Sequence, residues 1–447
     1  MSIDGTWISR GYGWILEISP DGYALFDHTT LACVEFERGS KSQFEAAFDR
    51  VQLDGPDRLS LFVRGEISRY DFDRTATPPP ASQILDRPGD YDPFFIFDSF
   101  CEYFRQDYVF FELREVNWDQ HCKRLRNSVR PDTNPDELFE ILATLILDLR
   151  GNHVILRDGQ KLATSDGIAE LKSLMVKQFD LKSPSIGDPA TIAKVQPFVC
   201  SQFLDSSCKS AGNGAVSWGF VGRGVGYLNV LKLFGLANTE MSRNAADLPP
   251  HRYDHARLLE DDLQALEEIL DRVMSDLGQS SAIVLDIRIN GGGFDRLGMA
   301  IASRFCASQH LAFTKEARDG DGFTPVQNFY VTPGQRPSFT KPVYVLTSAR
   351  TASAGDVLAL CMRALPQVTI VGERTTGILS DNLSKHLPNG WITSLSNEIY
   401  RAPDGAIYEG SGVPVDITVP VFDAVDFAGG MQRAIDTSKR LALAAGG

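Results

Sequence analysis

"KPVYVLTSARTASAGDVLALCMRAL" (residues 341–365) decides how this chain folds. Its opening "VYVLT" is an apolar run of strand length, and "GDVLALCMRAL" carries its large apolar residues at helical spacing. Between them, five of the seven residues from Ala349 to Gly355 are Ala, Ser or Gly. Strand, junction and helix in this order form the unit of a parallel sheet covered by helices. The small residues allow another backbone or a substrate to approach closely. One hydroxyl, Ser353, is kept directly before the helix, where the first N–H groups lack intrahelical partners and negative charge is favoured. Two readings stay open. Ser353 is a helix N-cap, or it is a nucleophile whose oxyanion the Ala354 N–H stabilises. Thr351 stands where a GxSxG elbow has its first glycine, so the α/β-hydrolase pattern is incomplete.

The same unit recurs around this stretch. "GYLNVLKL" precedes the helix "ARLLEDDLQALEEILDRVMSDL", and then come "SAIVLDIRI", the turn "NGGG" and the helix "FDRLGMAIASRFC". "VTIVG" follows the opening stretch, and short strands resume with "WITSLSNEIY" and "DITVPV". The spacing predicts a mostly parallel sheet within residues 181–447. Upstream, "GWILEI", "GYALFD", "ACVEFE" and "RLSLFVRG" alternate between turn signals, which predicts a small antiparallel β domain over residues 1–80. "TATPPPAS" (75–82) is a stiff linker, and residues 86–180 are predicted to be a mainly helical segment. There, "FDSFCEYFRQDYVFFEL" reads as helix throughout, and "NPDELFEILATLILDL" begins with an N-cap Asn134 and Pro135 at the first helical position. Gly151 stops that helix and "HVILR" starts a strand.

With 447 residues, 43% hydrophobic and 23% charged, the chain can bury the cores of two or three domains. A formal net charge of −14 argues against nucleic acid or an anionic membrane as the main partner. The first residues, "MSIDGTWISRGYGW", lack the basic and apolar regions of a secretory signal, and no stretch is apolar enough for a membrane span. Seven scattered cysteines without CxxC spacing predict neither a disulfide framework nor structural zinc. The expectation is a reduced, cytoplasmic protein.

Two further segments offer chemistry. In "LDIRINGGG" three glycines after a buried strand can aim backbone N–H groups into one cavity. It lacks the Gly-Lys-Ser/Thr of a P-loop and the GxGxxG of a dinucleotide site. Among seven histidines, His153 sits at a helix-to-strand corner where a side chain can face a cleft. His251 and His255 have zinc-helix spacing, but Arg252 replaces the glutamate of HExxH and Pro249-Pro250 lie just upstream, so no metal site is expected. Glu409, between a strand and a Gly-rich turn, can point a carboxylate inward.

Taken in order, "VLDIRINGGG", "VYVLTSARTASAGDVLALCMRAL", "VGERTTG" and "YEGSGVPVDITV" resemble the motifs of the C-terminal-processing/tricorn-type serine peptidases. "LRGNHVIL" resembles the histidine-bearing segment of the tricorn and retinoid-binding-protein-like branch. The resemblance implies an α/β (α+β) fold with a crotonase/ClpP-like ββα core. It implies a Ser353 nucleophile, a His153 base and Glu409 as the acidic member. Asn152 stands where tricorn-type enzymes carry a linking serine, and Ala354 with Gly291 or Gly292 would form the oxyanion hole. Ile378 occupies the lysine position of the Ser/Lys branch, which removes that mechanism. The implied activity is hydrolysis of peptides or unfolded protein without metal or cofactor, with homo-oligomerisation left open. Two alternatives remain: an inactive ligand- or peptide-binding protein on the same scaffold, and a crotonase-like acyl-CoA enzyme.

Overall fold

The computed structural model describes residues 2–78, 80–85, 90–151, 153–165, 175–179, 189–205, 208–222, 224–243, 252–336, 338–423 and 425–445. Asn152 and His251, both singled out above, lie outside the described residues.

Seven antiparallel strands come first: β1 (Gly5–Ser9), β2 (Trp14–Ser19), β3 (Gly22–His28), β4 (Cys33–Ser40), β5 (Phe48–Leu53), β6 (Arg58–Val63) and β7 (Arg69–Thr75). Their spatial order is β4-β3-β2-β1-β7-β6-β5, with α1 (Lys41–Ala47) bridging β4 to β5. Alternation puts Trp7, Leu16, Leu25, Leu59, Leu61 and Phe72 inside, at 2% exposure or less. They share one apolar core with α2 (Pro93–Asp107), α3 (Trp118–Arg126) and α4 (Pro135–Leu147). The sheet is therefore not a tethered module but one wall of a joint core.

Helix α4 starts as its sequence predicts. Asn134 Oδ1 accepts from the Glu137 N–H at 3.0 Å, and Glu137 Oε2 accepts from the Asn134 N–H at 3.3 Å. Losing such a cap costs about 1 kcal/mol. Helix α2 ends earlier than predicted, at Asp107: Tyr108 turns extended, and the Val109 N–H donates to the Ser396 carbonyl at 3.1 Å. Tertiary pairing overrides the helical pattern of "VFFEL", and the departing chain carries Arg114 toward the site described below.

Strands β8 (Ile155–Arg157) and β9 (Leu162–Thr164) join a small sheet completed by later strands. After α5 (Pro189–Phe203) the central sheet begins with β10 (Lys209–Ala211), β11 (Val216–Phe220) and β12 (Val225–Val230). Helices α6 (Glu240–Arg243) and α7 (Arg252–Leu277) lead to β13 (Ala282–Asp286) and then α8 (Asp295–Ser303). An excursion through β14 (His310–Asp319), β15 (Gly322–Phe323) and β16 (Gln327–Val331) returns to β17 (Val343–Thr347), α9 (Ala354–Arg363) and β18 (Val368–Gly372). Strands β19 (Leu383–His386), β20 (Ile392–Leu395), β21 (Glu398–Arg401) and β22 (Ile417–Thr418) precede α10 (Phe427–Ala445).

The central order is β10-β11-β12-β13-β17-β18-β22, and every pairing from β12 onward is parallel. This is a mixed α/β fold. Its central strands are near-continuous apolar runs because both faces are covered: all five residues of β13 and of β17 are buried. Cys200 and Cys208 form a disulfide, Cα atoms 5.8 Å apart, which corrects the expectation of reduced thiols throughout. The two cysteines stand eight positions apart, one in the last turn of α5 and one just before β10, a proximity their spacing alone does not announce. Cys33, Cys101, Cys122, Cys306 and Cys361 are free and buried. Among the described residues no helix is long and apolar enough to cross a membrane.

Candidate active site

Strands β13 and β17 are parallel neighbours, so the loops leaving their C-terminal ends, 287–294 and 348–353, emerge side by side. Several bonds stitch them together. The Ala352 N–H donates to the Asn290 carbonyl at 2.9 Å, Thr351 Oγ1 to the Ile287 carbonyl at 2.8 Å, and Ser348 Oγ to the Arg288 carbonyl at 2.5 Å. Beneath them Arg288 and Asp286 form an ion pair buried to 1% or less, with Tyr227 Oη donating to Asp286 Oδ2 at 2.5 Å. Such a pair braces the loop, and removing one partner leaves an uncompensated buried charge.

Ser353 is the N-cap of α9, yet its side chain makes no capping bond. Its backbone lies at φ 57°, ψ −127°, a region that costs a non-glycine residue on the order of 1–3 kcal/mol. The capping work falls to Asp356, whose carboxylate accepts from the Ser353 N–H. The hydroxyl is thus held on a strained turn and released from local hydrogen bonding. Gly292 makes the turn sterically possible: a Cβ there would sit 2.7 Å from Ser353 Cβ and 3.0 Å from Ala354 N.

A strip from Thr375 to Ser380 connects this turn to the histidine. Asp356 Oδ1 accepts from the Gly377 N–H at 2.9 Å and Oδ2 from the Ile378 N–H at 3.2 Å. Two residues on, the Ser380 carbonyl is 2.5 Å from His153 Nδ1. Glu409 Oε2 accepts from the N–H groups of Leu379 at 2.8 Å and Ser380 at 3.1 Å. Arg114 Nη2 lies 3.8 Å from the other Glu409 oxygen. Gly377, at φ 79°, allows the strip to press against the loop bearing Glu409, since a Cβ there would be 2.5 Å from Gly412 N.

Burial shapes the ionisation of all three groups. It lowers the His153 pKa from its ordinary 6.5, against the raising effects of the Ser380 hydrogen bond and of Asp381. It lifts Glu409 to about 7, opposed by the two N–H donors and Arg114. It lifts Asp356 to about 6, opposed by Thr375 and three backbone donors.

Peptidase family S41 matches residues 257–419, and the Tricorn protease C1 domain matches residues 93–146. Residues 257–419 are thus similar to an S41-type peptidase domain. A carboxy-terminal-processing protease of Bartonella bacilliformis is 26% identical over 159 residues, 35% of this chain and 35% of that protein. The chloroplastic carboxyl-terminal-processing peptidase 1 of Arabidopsis thaliana is 26% identical over 164 residues, 36% of this chain and 31% of that protein. The matched region thus spans about a third of these curated relatives. The structure of a peptidase from Parabacteroides merdae superposes with a TM-score of 0.61 at 23% identity, covering 79% of this chain and 97% of that one. That likeness shows the fold.

The residues singled out from sequence fall as follows. Gly292 meets Ser353 and Ala354 across the paired loops, with Gly291 next to it in the chain, while His153 and Glu409 meet at Ser380. Among the described residues no hydrogen bond joins His153 to Ser353. The Gly292 N–H donates to Asn290 Oδ1 at 2.9 Å. Asn290 is itself anchored by donating to the Val230 carbonyl at 3.0 Å, so it holds that N–H inside the loop. Three participants went unread in the sequence: Asp356, the Ser380 carbonyl and Arg114. Asp356 was detectable, because an acid three residues after a cap matches a capping box.

Proposed function

We propose that the chain is a serine peptidase that cleaves peptides or unfolded protein through an acyl-enzyme, on a crotonase/ClpP-like ββα core. The strained turn that frees the Ser353 hydroxyl carries this reading. Ser353 Oγ attacks the scissile carbonyl, and His153 Nε2 takes its proton and returns it to the leaving amine; water then releases the acyl group by the same route. His153 Nδ1–H, donated to the Ser380 carbonyl, fixes the tautomer that leaves Nε2 as the base. Glu409 acts as a positioning residue on the backbone of Leu379 and Ser380. Ala354 and Gly291 supply N–H groups to the oxyanion, with Gly292 giving the room. Neither metal nor cofactor enters this scheme.

A fluorophosphonate probe tests the assignment. Covalent labelling at Ser353, together with loss of peptide hydrolysis by at least about a thousandfold in Ser353→Ala, is the expected result. Undiminished cleavage by that variant defeats it. A second reading, a binding protein on the same scaffold, draws on the missing hydrogen bond between His153 and Ser353. In that case Ser353 stays unlabelled while peptides still bind. Catalytic hydrogen bonds often tighten only with substrate present, which favours the first reading.

A further inference from the structure

A cavity of about 310 Å³ opens between the N-terminal sheet and the peptidase domain. Gly293 of the paired loops and Asp381, which follows the Ser380 that holds His153, both line it. The cavity therefore adjoins the reaction centre on the oxyanion side and the histidine side together.

Its outer wall is aromatic and comes from the first 75 residues: Tyr12, Trp14, Phe36 and Tyr70. Tyr12 and Trp14 stack with centroids 5.1 Å apart, and Tyr70 meets Tyr12 edge-on at 4.8 Å. Its carboxylates are Glu37, Glu66, Asp295, Asp381 and Glu398. The basic groups facing them are fewer. Arg296, His255 and His386 also line the cavity, and His386 Nδ1 is held by Asp27 at 2.8 Å. Behind the wall Lys315 pairs with Glu398 at 3.0 Å and stands 3.6 Å from Asp381. Acidic side chains thus outnumber basic ones in the lining of the cavity. Asp295 is pushed up to about 8, by burial first and by Asp381 next, with Lys315 and the Tyr400 hydrogen bond opposing.

Aromatic faces and carboxylates around one cavity form an environment for an organic cation, which gains from ring quadrupoles and from negative charge together. We propose that this cavity takes a cationic group of the substrate, a basic side chain or a free α-amine, so that the N-terminal sheet acts as a specificity wall. The assignment rests on the peptidase reading for its consequence, because only there does binding become selection. Sequence supports the division of labour: the aromatic wall lies wholly outside residues 257–419, the segment matched by the S41 family.

The test uses one neutral decapeptide sequence with a single lysine moved through every position, each paired with norleucine at the same place, with free and acetylated N-termini. Binding to full-length Ser353→Ala is read by titration calorimetry, and hydrolysis by the wild type gives kcat/KM. A cation at one position is expected to improve both by about tenfold over its neutral partner. Acetylation lowers both only if the α-amine is the bound group. Glu66 and Asp381 are exposed, so Glu66→Gln with Asp381→Asn leaves the fold intact and should cut the lysine/norleucine ratio below about threefold. Trp14→Leu should cut it through the aromatic wall. Equal binding of lysine and norleucine at every position, with no effect of acetylation, overturns the proposal. Preference in binding without any hydrolysis would instead defeat the peptidase reading and leave the cavity assignment standing.

Discussion

His153 and Glu409 hold the two polar ends of one residue: the imidazole Nδ1 meets the Ser380 carbonyl at 2.5 Å, and Glu409 accepts the Ser380 N–H at 3.1 Å. In the proposed mechanism, Glu409 orients His153 through this residue without touching it. Glu409→Gln keeps the volume, but with its carbonyl oxygen on the two N–H donors it turns an NH2 toward Arg114, which replaces an attraction by a donor–cation clash and shifts the strip. Turnover should fall by about a hundredfold, the order expected of a misplacement near 1 Å. KM should change little, and fluorophosphonate labelling should slow in step with kcat. A rise in KM at constant kcat would show that Glu409 serves substrate binding instead.

The Ser353 turn stores strain that the rest of the fold must offset. Glycine adopts φ 57° without penalty, so Ser353→Gly should raise stability by about 1 kcal/mol, less the entropy glycine adds to the unfolded chain. It should also abolish labelling. Denaturant unfolding of wild type, Ser353→Ala and Ser353→Gly separates the effects, because alanine removes the hydroxyl and keeps the strain. Glycine less stable than alanine would mean that the turn is relaxed.

A lowered His153 pKa has a kinetic signature. A general base works when neutral, so the acid limb of kcat/KM should fall below pH 6.5, the ordinary value for the group. Asp381 raises this pKa, so Asp381→Asn should move the limb to still lower pH. A limb above 6.5, or one moved upward by that variant, contradicts the proposed base.

How much of this was legible in the sequence depends on how far each signal reaches. The strand–glycine–helix junctions at Asn290–Gly293 and Ala349–Gly355 carry their geometry locally, in residue size and period. The parallel pairing of β13 with β17 follows from the crossover rule. The link between His153 and Ser380 spans 227 positions and uses a carbonyl, which every residue has, so no residue type marks it. Arg114 reaches Glu409 only because the chain leaves the helical pattern at Asp107, a tertiary effect. The aromatic wall likewise arises from docking: Trp14 reads as an ordinary strand residue and Tyr12 carries no signal until its Oη is seen donating to Glu398 at 2.7 Å.

Buried carboxylates make the fold itself sensitive to pH. Asp356, Glu409 and Asp295 stand at about 6, 7 and 8, raised by burial from 3.8, 4.5 and 3.8. A carboxyl with a raised folded-state value favours the folded state fully below its unfolded value. That contribution is lost as pH rises through the folded value, here between about pH 4 and 8. The net charge of −14 at pH 7 adds repulsion of the same sign, so the wild-type curve alone cannot assign the cause. Glu409→Gln isolates one group. Each pKa unit corresponds to about 1.4 kcal/mol, so the wild type should lose on the order of 3 kcal/mol relative to this variant between pH 4.5 and 7. Thermal unfolding across that range measures the difference, with Glu66→Gln as an exposed control that should track the wild type. Parallel curves for wild type and Glu409→Gln would mean that Glu409 ionises in the folded protein as freely as in the unfolded chain, and that Arg114 and the two N–H donors outweigh its burial.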